Sequence, residues 1–366
     1  MRRLKKILPW LCGLAVLLVA VVWLVYRLPA FGGAFDGPPP ERWRASPQFH
    51  GDRFENTPPY VSQLKMLDEA RAYFGPEQRA PGLQVPVQPL AADSLTRPAA
   101  PGLRAWWLGW ASVLLEIDGV RILTDPVFSE RVSPFSFVGP ARMHAPPLAL
   151  AQWTGIDAAV ISHDHFDHLD MDTVRHLAAG GTQFFVGLGI GEHLKRWQVP
   201  AAQIHELDWW EKAELKGVTI HCTPARHYAG RRRMDNSTLW ASWLIRGPKH
   251  SAYHSGDTGY ADHFRQIRER LGAPQLALIK IGAYGQSWLD IHMDPESAVR
   301  AHRDLGAAAM LPIHWATFNL AYHAWAEPIE RTVAAAQAQG VQLLTPRPGE
   351  KVEFGVPFES RPWYRP

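Results

Sequence analysis

The stretch Val160-Ile-Ser-His-Asp-His-Phe-Asp-His-Leu-Asp170 places three histidines and three aspartates within eight residues, directly behind an apolar run. "IDAAVIS" reads as a short buried strand, so the polar cluster sits where that strand ends. Residues two apart in an extended loop face the same way, which allows His163 and His165 to bind one ion. Asp167 and His168 can then turn to a second ion beside it. One zinc needs only three or four protein ligands, so crowding of this kind points to two metals about 3.5–4 Å apart.

Two sites need ligands from elsewhere in the chain. Three candidates follow strand-like runs: His227 in "TPARHYAG", Asp257 in "HSGDTGY" and His314 in "LPIHWATF". Asp257 sits in a glycine-flanked turn, a place suited to a carboxylate that bridges both ions. The histidines His144, His176, His193, His205, His263 and His302 are read as structural or solvent-exposed.

Around the cluster, apolar runs alternate with helical patterns. "RAWWLGWASVLLEIDGVRILTDP" reads as three strands, the last two joined by an Asp118-Gly119 hairpin turn. "DMDTVRHLAAGG" and "DPESAVRAHRDLG" read as helices; the second has Asp294 as N-cap, Pro295 at the first helical position and Gly306 closing it. "TQFFVGLG", "VTIHCTP", "LWASWLI", "SAYHSGDTG", "LALIKIGAY" and "AAMLPIHW" are further strands. Strands with intervening helices give an α/β layered domain, with ligand-type residues recurring just past strand ends.

The N-terminus has a different texture. Arg2, Arg3, Lys5 and Lys6 precede Ile7–Tyr26, which is apolar and uncharged. Twenty helical residues span roughly 30 Å, the thickness of a hydrocarbon core. Trp10, Trp23 and Tyr26 stand near its two ends. This predicts a single-pass anchor in the inner membrane over residues 1–28, with the positive-inside rule directing the rest of the chain to the periplasm. Residues 29–100, rich in Pro, Gly and Arg, form a linker or wrapping segment with one helical pattern, "VSQLKMLDEARAYF". Residues 101–366 make up the catalytic domain.

Without the four basic residues at its start, the net charge of +3 becomes slightly negative, so nothing points to nucleic acid. The two cysteines, Cys12 and Cys222, are too few for a thiol zinc site and are not expected to pair. Arg231-Arg232-Arg233 is read either as a solvated loop or as a steering patch for an anionic phosphodiester.

The run His163-Asp164-His165-Phe166-Asp167-His168 resembles the HxHxDH signature of the metallo-β-lactamase superfamily. "WLGWASVLLEIDG", "LTDPVFSERVSPFSFVGP", "ELDWWE", "GDTGY", "IGAY", "DPESAVRAH" and "HWATFNLA" are similar to the branch containing N-acyl-phosphatidylethanolamine-hydrolysing phospholipase D, over roughly residues 100–350. The resemblance implies an αββα sandwich. It implies one metal on His163, His165 and His227, a second on Asp167, His168 and His314, and Asp257 between them. Two zinc ions per chain are expected, with iron or manganese left open; His at position 165 speaks against the diiron relatives, which carry Glu there. Asp167 is implied as a catalytic ligand and His292, in "LDIHMDPE", as a second catalytic residue near the leaving group. The implied activity is phosphodiester hydrolysis of a phospholipid at a membrane, with oligomerisation open. Lactonase, β-lactamase or soluble phosphodiesterase activity, or a non-catalytic metal-binding envelope protein, are the alternatives.

Overall fold

The computed structural model describes residues 2–33, 37–61, 75, 77–82, 84–231 and 235–365; the side chains of residues 2–9 and 11 are outside this set. The helical pattern expected at 61–74 falls almost wholly outside the described residues, as do Arg232 and Arg233.

Two sheets stack face to face. The first has the order β15-β3-β4-β5-β6-β7-β8, with β3 Leu103–Gly109, β4 Ser112–Ile117, β5 Val120–Thr124, β6 Ala158–Ile161, β7 Gln183–Gly187, β8 Ile204–Leu207 and β15 Lys351–Glu353. The second has the order β14-β13-β12-β11-β10-β9, with β9 Lys212–Leu215, β10 Val218–Thr223, β11 Ser242–Arg246, β12 Ser251–His254, β13 Leu276–Lys280 and β14 Ala309–Ile313. A short hairpin, β1 Phe49–His50 and β2 Arg53–Phe54, precedes them.

The alternation of side chains along each strand builds two cores. Val113, Leu115 and Ile117 of β4 point between the sheets, while Leu114 points the other way. On β6, Ala158 and Val160 face the inter-sheet core, and Ala159 and Ile161 face outward. Strands buried on both faces read as continuous apolar runs, which is how they appear in the sequence. The outer core is covered by α4 Met171–Ala179 and α5 Gly191–Arg196, through Val174, Leu177 and Leu194. Helices α6 His263–Leu271, α7 Pro295–Leu305 and α8 Glu327–Gln339 lie side by side, with α7 on β13. This is the expected αββα layering.

The local signals behave as their chemistry requires. Asp118 (φ 48°) and Gly119 (φ 92°) turn β4 into β5. The Asp294 carboxylate accepts from Ser297 N at 2.8 Å, and Gly306 closes α7 in the left-handed conformation. Before the sheets come α1 Arg2–Tyr26, α2 Glu41–Arg44 and α3 Asp93–Thr96. Among the described residues, no helix is long and apolar enough to cross a membrane. The segment between α1 and β3 lies over the sandwich: Trp43, Phe49 and Phe54 pack with Leu188, Leu239 and Trp240, and Leu95 joins the outer core.

Candidate metal centre

The loops that follow β5, β6, β10, β12 and β14 converge at one end of the two sheets. The β6 loop brings His163 Nε2 to within 2.8 Å of His165 Nδ1. The β10 loop adds His227, whose Nε2 lies 3.4 Å from the same His165 atom. Beside this trio, His168 Nε2 lies 3.1 Å from His314 Nε2 and 3.3 Å from Asp167 Oδ2. Asp257 stands between the two groups: Oδ1 is 2.9 Å from His314 Nε2, and Oδ2 is 3.4 Å from His168 Nε2 and 3.9 Å from His227 Nε2. All seven candidate ligands are brought together, in two groups whose ligand atoms each fall within 4.8 Å of one another. His292 completes a third group with His227 and Asp257, its Nε2 lying 3.8 Å from Asp257 Oδ2.

The donor set fits divalent cations. Imidazole nitrogens crowd to 2.8, 3.1 and 3.4 Å of one another, and the buried Asp257 Oδ1 receives no hydrogen bond. Burial pulls His163 well below the ordinary imidazole range, with His168 and His165 adding to the effect, and pulls His227 down to about 3. Neutral rings offer lone pairs. Burial would raise Asp257 and Asp167, but the neighbouring histidines outweigh it and hold both carboxyls well below their usual range. His168 is the exception: burial lowers it, yet Asp257, Asp167 and Asp125 together push it well above the ordinary value.

Behind the candidate ligands is a supporting layer that sequence reasoning did not single out. Asp125, fully buried, follows β5 in "LTDP"; its Oδ2 accepts from Ser162 Oγ at 2.7 Å and faces His168 Nδ1 and His254 Nε2, each at 2.8 Å. Its Oδ1 accepts from Ser162 N at 2.6 Å. Burial works against its ionisation, but His254 and His168 hold the carboxyl well below the usual range. Trp110 Nε1 donates to Asp167 Oδ2 at 3.0 Å, and Asn56 Nδ2 donates to the His227 carbonyl at 2.7 Å. Trp110, Asp125, His314 and Ala316 all have positive φ, a concentration of about 1–3 kcal/mol of backbone strain per residue at one place. Gly256 is needed beside Asp257 because a Cβ there would lie 2.4 Å from Ser162 Cβ. The only sequence signal for Asp125 and His254 was position: each lies at the end of an apolar run.

Arg231 falls differently from the sequence reading, whereas His193, His144 and Cys222 are structural or buried as read. Arg231 is neither solvated nor free to steer an anion. Its buried guanidinium donates to the carbonyls of Asp164 at 3.0 Å and Leu169 at 2.7 Å, knitting the β6 loop together. His193 and His144, taken as ordinary, support the centre from outside: His193 Nε2 lies 3.2 Å from Asp164 Oδ2, and His144 Nε2 lies 3.0 Å from Thr317 Oγ1. Cys222 is a buried thiol pushed well up by burial, and Cys12 is exposed.

Residues 120–315 match the model of the Beta-lactamase superfamily domain. An uncharacterized protein of Mycobacterium tuberculosis is 50% identical over 283 residues, covering 76% of this chain and 76% of its own length. The N-acyl-phosphatidylethanolamine-hydrolyzing phospholipase D 1 of Caenorhabditis elegans is 35% identical over 300 residues, covering 75% of this chain and 84% of its own length. Among solved structures, the metallo hydrolase Igni18 of the archaeon Ignicoccus hospitalis superposes with a TM-score of 0.54 at 25% identity, over 70% of this chain and 99% of that one. The chain belongs to the metallo-β-lactamase superfamily, in the branch that holds the N-acyl-phosphatidylethanolamine-hydrolysing phospholipases D, and it is a metal-dependent hydrolase.

Proposed function

We propose that this member of the phospholipase D-like branch hydrolyses the phosphodiester of N-acyl-phosphatidylethanolamine-type phospholipids, releasing N-acylethanolamine and phosphatidic acid. The observation that carries the reading is the pair of neighbouring ligand groups with Asp257 standing at their border, in a chain 35% identical to a phospholipase D over most of that protein's length. The first group would hold one zinc on His163, His165 and His227, the second another on Asp167, His168 and His314, with Asp257 reaching both; the chemistry of the donors also accommodates iron or manganese. Bound there, the two ions would supply Lewis acidity toward the phosphoryl oxygens and lower the pKa of water to about 7.

The protein's own contribution is orientation. Trp110 Nε1 fixes Asp167 Oδ2, so the other carboxylate oxygen is left to orient an attacking water. Asp125 fixes the Nδ1 side of His168 and leaves Nε2 to face the centre. Burial, and then the Lys280 ammonium, hold His292 well below the ordinary imidazole range, so it stands beside Asp257 as a neutral ring that would contact the substrate near the leaving oxygen. Tyr228, with its ring 4.6 Å from that of His165, forms part of the wall that a substrate would meet.

We read α1 as an anchor in the inner membrane with the hydrolase domain on the periplasmic side, because four cationic residues precede an uncharged apolar run in the sequence. Such a tether concentrates the site at a bilayer substrate. Alkaline phosphatase fused after residue 100 would be active under this topology and inactive under its reverse. The activity itself is tested by comparing kcat/KM for N-acyl-phosphatidylethanolamine in mixed micelles with that for nitrocefin on zinc-loaded protein. The lipid should win; nitrocefin ahead by more than about tenfold, roughly 1.4 kcal/mol of transition-state preference, would replace the lipid reading with the β-lactamase one.

A further inference from the structure

The loop from Ser133 to Gly139 leaves the edge of the metal centre and carries the most exposed aromatic side chain of the hydrolase domain among the described residues. Phe137 is 79% exposed and Val138 is 51% exposed. The tip is not slack: Arg131 Nη1 donates to the Gly139 carbonyl at 2.7 Å, and Gly139 takes a positive φ of 104°. A fixed loop that presents a phenyl ring and an isopropyl group to the outside needs an apolar cover.

The neighbours of this loop say what the cover is. Phe137 lies tilted against Phe135 (ring centroids 5.6 Å apart), Phe135 meets the edge of Phe31 (6.4 Å), and Phe31 meets Tyr26 at the end of α1 (5.2 Å). The loop tip is therefore continuous with the C-terminal end of α1. On that helix Leu14, Val16, Leu17, Val19, Val22 and Leu24 are all exposed. These positions point to every side of a helix, since each residue turns about 100°. A protein partner would cover one face; lipid covers all of them. Arg27 then closes the apolar run with its guanidinium 3.9 Å from the Trp23 ring centroid, the pairing of cation and indole suited to a lipid headgroup layer.

We propose that the loop Ser133–Gly139 is a second bilayer contact, seated in the same leaflet from which α1 emerges, so that the chain stands on the membrane at two points. This rests on the anchoring described under the proposed function. Two points fix an orientation that one tether does not. The same ladder also reaches the metal loop, because Phe31 meets the edge of Phe166 at 6.0 Å, and Phe166 lies between the candidate ligands His165 and Asp167. Membrane contact and metal centre thus share a side chain, and the cleft is held at the headgroup layer instead of swinging above it.

The test uses the full chain with Cys12→Ser, in nanodiscs of phosphatidylcholine and phosphatidylglycerol. Nitroxide labels are placed singly at Val138→Cys, at Val19→Cys in α1 and at Lys249→Cys, in the exposed turn at the opposite end of the second sheet. Collisional relaxation by oxygen, which partitions into lipid, is compared with that by a water-soluble nickel chelate. The proposal predicts that labels at 138 and 19 favour oxygen and that the label at 249 favours nickel. A label at 138 that behaves like the one at 249, while 19 reports lipid, overturns the second contact and leaves the anchor standing. A label at 19 in water overturns the anchor and the proposal with it. None of these readings depends on turnover, so failure of the lipase activity would not be mistaken for failure of the docking. As a functional counterpart, Phe137→Ser with Val138→Asn should raise KM several-fold for vesicle lipid while leaving hydrolysis of bis(p-nitrophenyl) phosphate unchanged; an unchanged KM on vesicles would count against the proposal.

Discussion

Asp125→Asn is the substitution that most directly probes how the fold holds its second ligand group. The side chain is fully buried, and its Oδ2 faces three partners: Ser162 Oγ at 2.7 Å, and His168 Nδ1 and His254 Nε2 at 2.8 Å each. An amide of the same shape either turns its NH2 toward these groups or gives up the hydrogen bond that Oδ1 accepts from Ser162 N. In both cases the negative charge opposite His168 and His254 is gone. Hydrogen bonds to a charged group are worth about 1.5–3 kcal/mol each, and loss of a carboxylate behind a ligating histidine typically costs about 10–100-fold in metal affinity. For the group of Asp167, His168, Asp257 and His314 this amounts to about 1.4–2.7 kcal/mol. The trio of His163, His165 and His227 is touched only through Ser162 Oγ, 2.9 Å from His163 Nδ1, so its affinity should fall less. Zinc titration of the stripped protein against a competing chelator, followed by calorimetry at pH 7.5, resolves the two steps. A variant that folds, as judged by its circular dichroism and thermal melt, and that binds both ions within about threefold of the parent would refute the reasoning, because that change lies below about 0.7 kcal/mol.

Asp257→Ala should abolish turnover and lower bound zinc below the parent's value by elemental analysis while leaving the fold intact, since Asp257 faces both ligand groups; near-normal hydrolysis by a folded variant would exclude a shared carboxylate. Zinc affinity of the second group should rise with pH between about 6 and 8, by up to about tenfold per unit. The sign follows from His168, whose raised pKa keeps a proton on the ring that the cation must displace, whereas the depressed His163 and His227 have none to lose and predict a flat profile for the first group; chelator competition at several pH values distinguishes the two. Lys280→Met should remove a pH dependence of stability. The buried ammonium, which donates to the Gly282 carbonyl at 2.6 Å, is pulled down by burial to about 8 from 10.5, against the pull of Asp257, Asp294 and Asp167. The unfolded chain therefore binds more protons in that window, and stability rises with pH there in the parent. Urea denaturation at both ends of the window should show a steeper rise for the parent than for the variant, and equal slopes would refute it.

The candidate ligands were legible because each follows an apolar run and because HxHxDH leaves few alternatives for its polar atoms. The strands were legible for the same reason: burial on both faces makes Leu114 and Leu115, or Ala159 and Val160, apolar in succession. What could not be read is whatever depends on tertiary contact. Asp125 and His254 look like ordinary loop and strand-end residues until the sheets stack and bring them to 2.8 Å. Arg231 was misread because a run of three arginines suggests solvent; its burial follows from free carbonyls in the β6 loop, which no sequence pattern announces. Helix α6 escaped notice because it offers only Phe264 and Ile267 as buried apolar anchors among charged residues, and α8 because alanines blur its apolar stripe. The segment before β3 reads as a linker from its prolines, yet Asn56 reaches the backbone of His227 across the fold.

The proposed activity cleaves the phosphodiester at phosphorus, on the side of the N-acylethanolamine. It is tested most directly by incubating the zinc-loaded chain with N-acyl-phosphatidylethanolamine in water enriched in oxygen-18 and identifying the products by mass spectrometry. Attack of water at phosphorus leaves one heavy oxygen in the phosphate of phosphatidic acid and none in N-acylethanolamine. Heavy oxygen in N-acylethanolamine, release of diacylglycerol with a phosphorylated N-acylethanolamine, or intact substrate would contradict it.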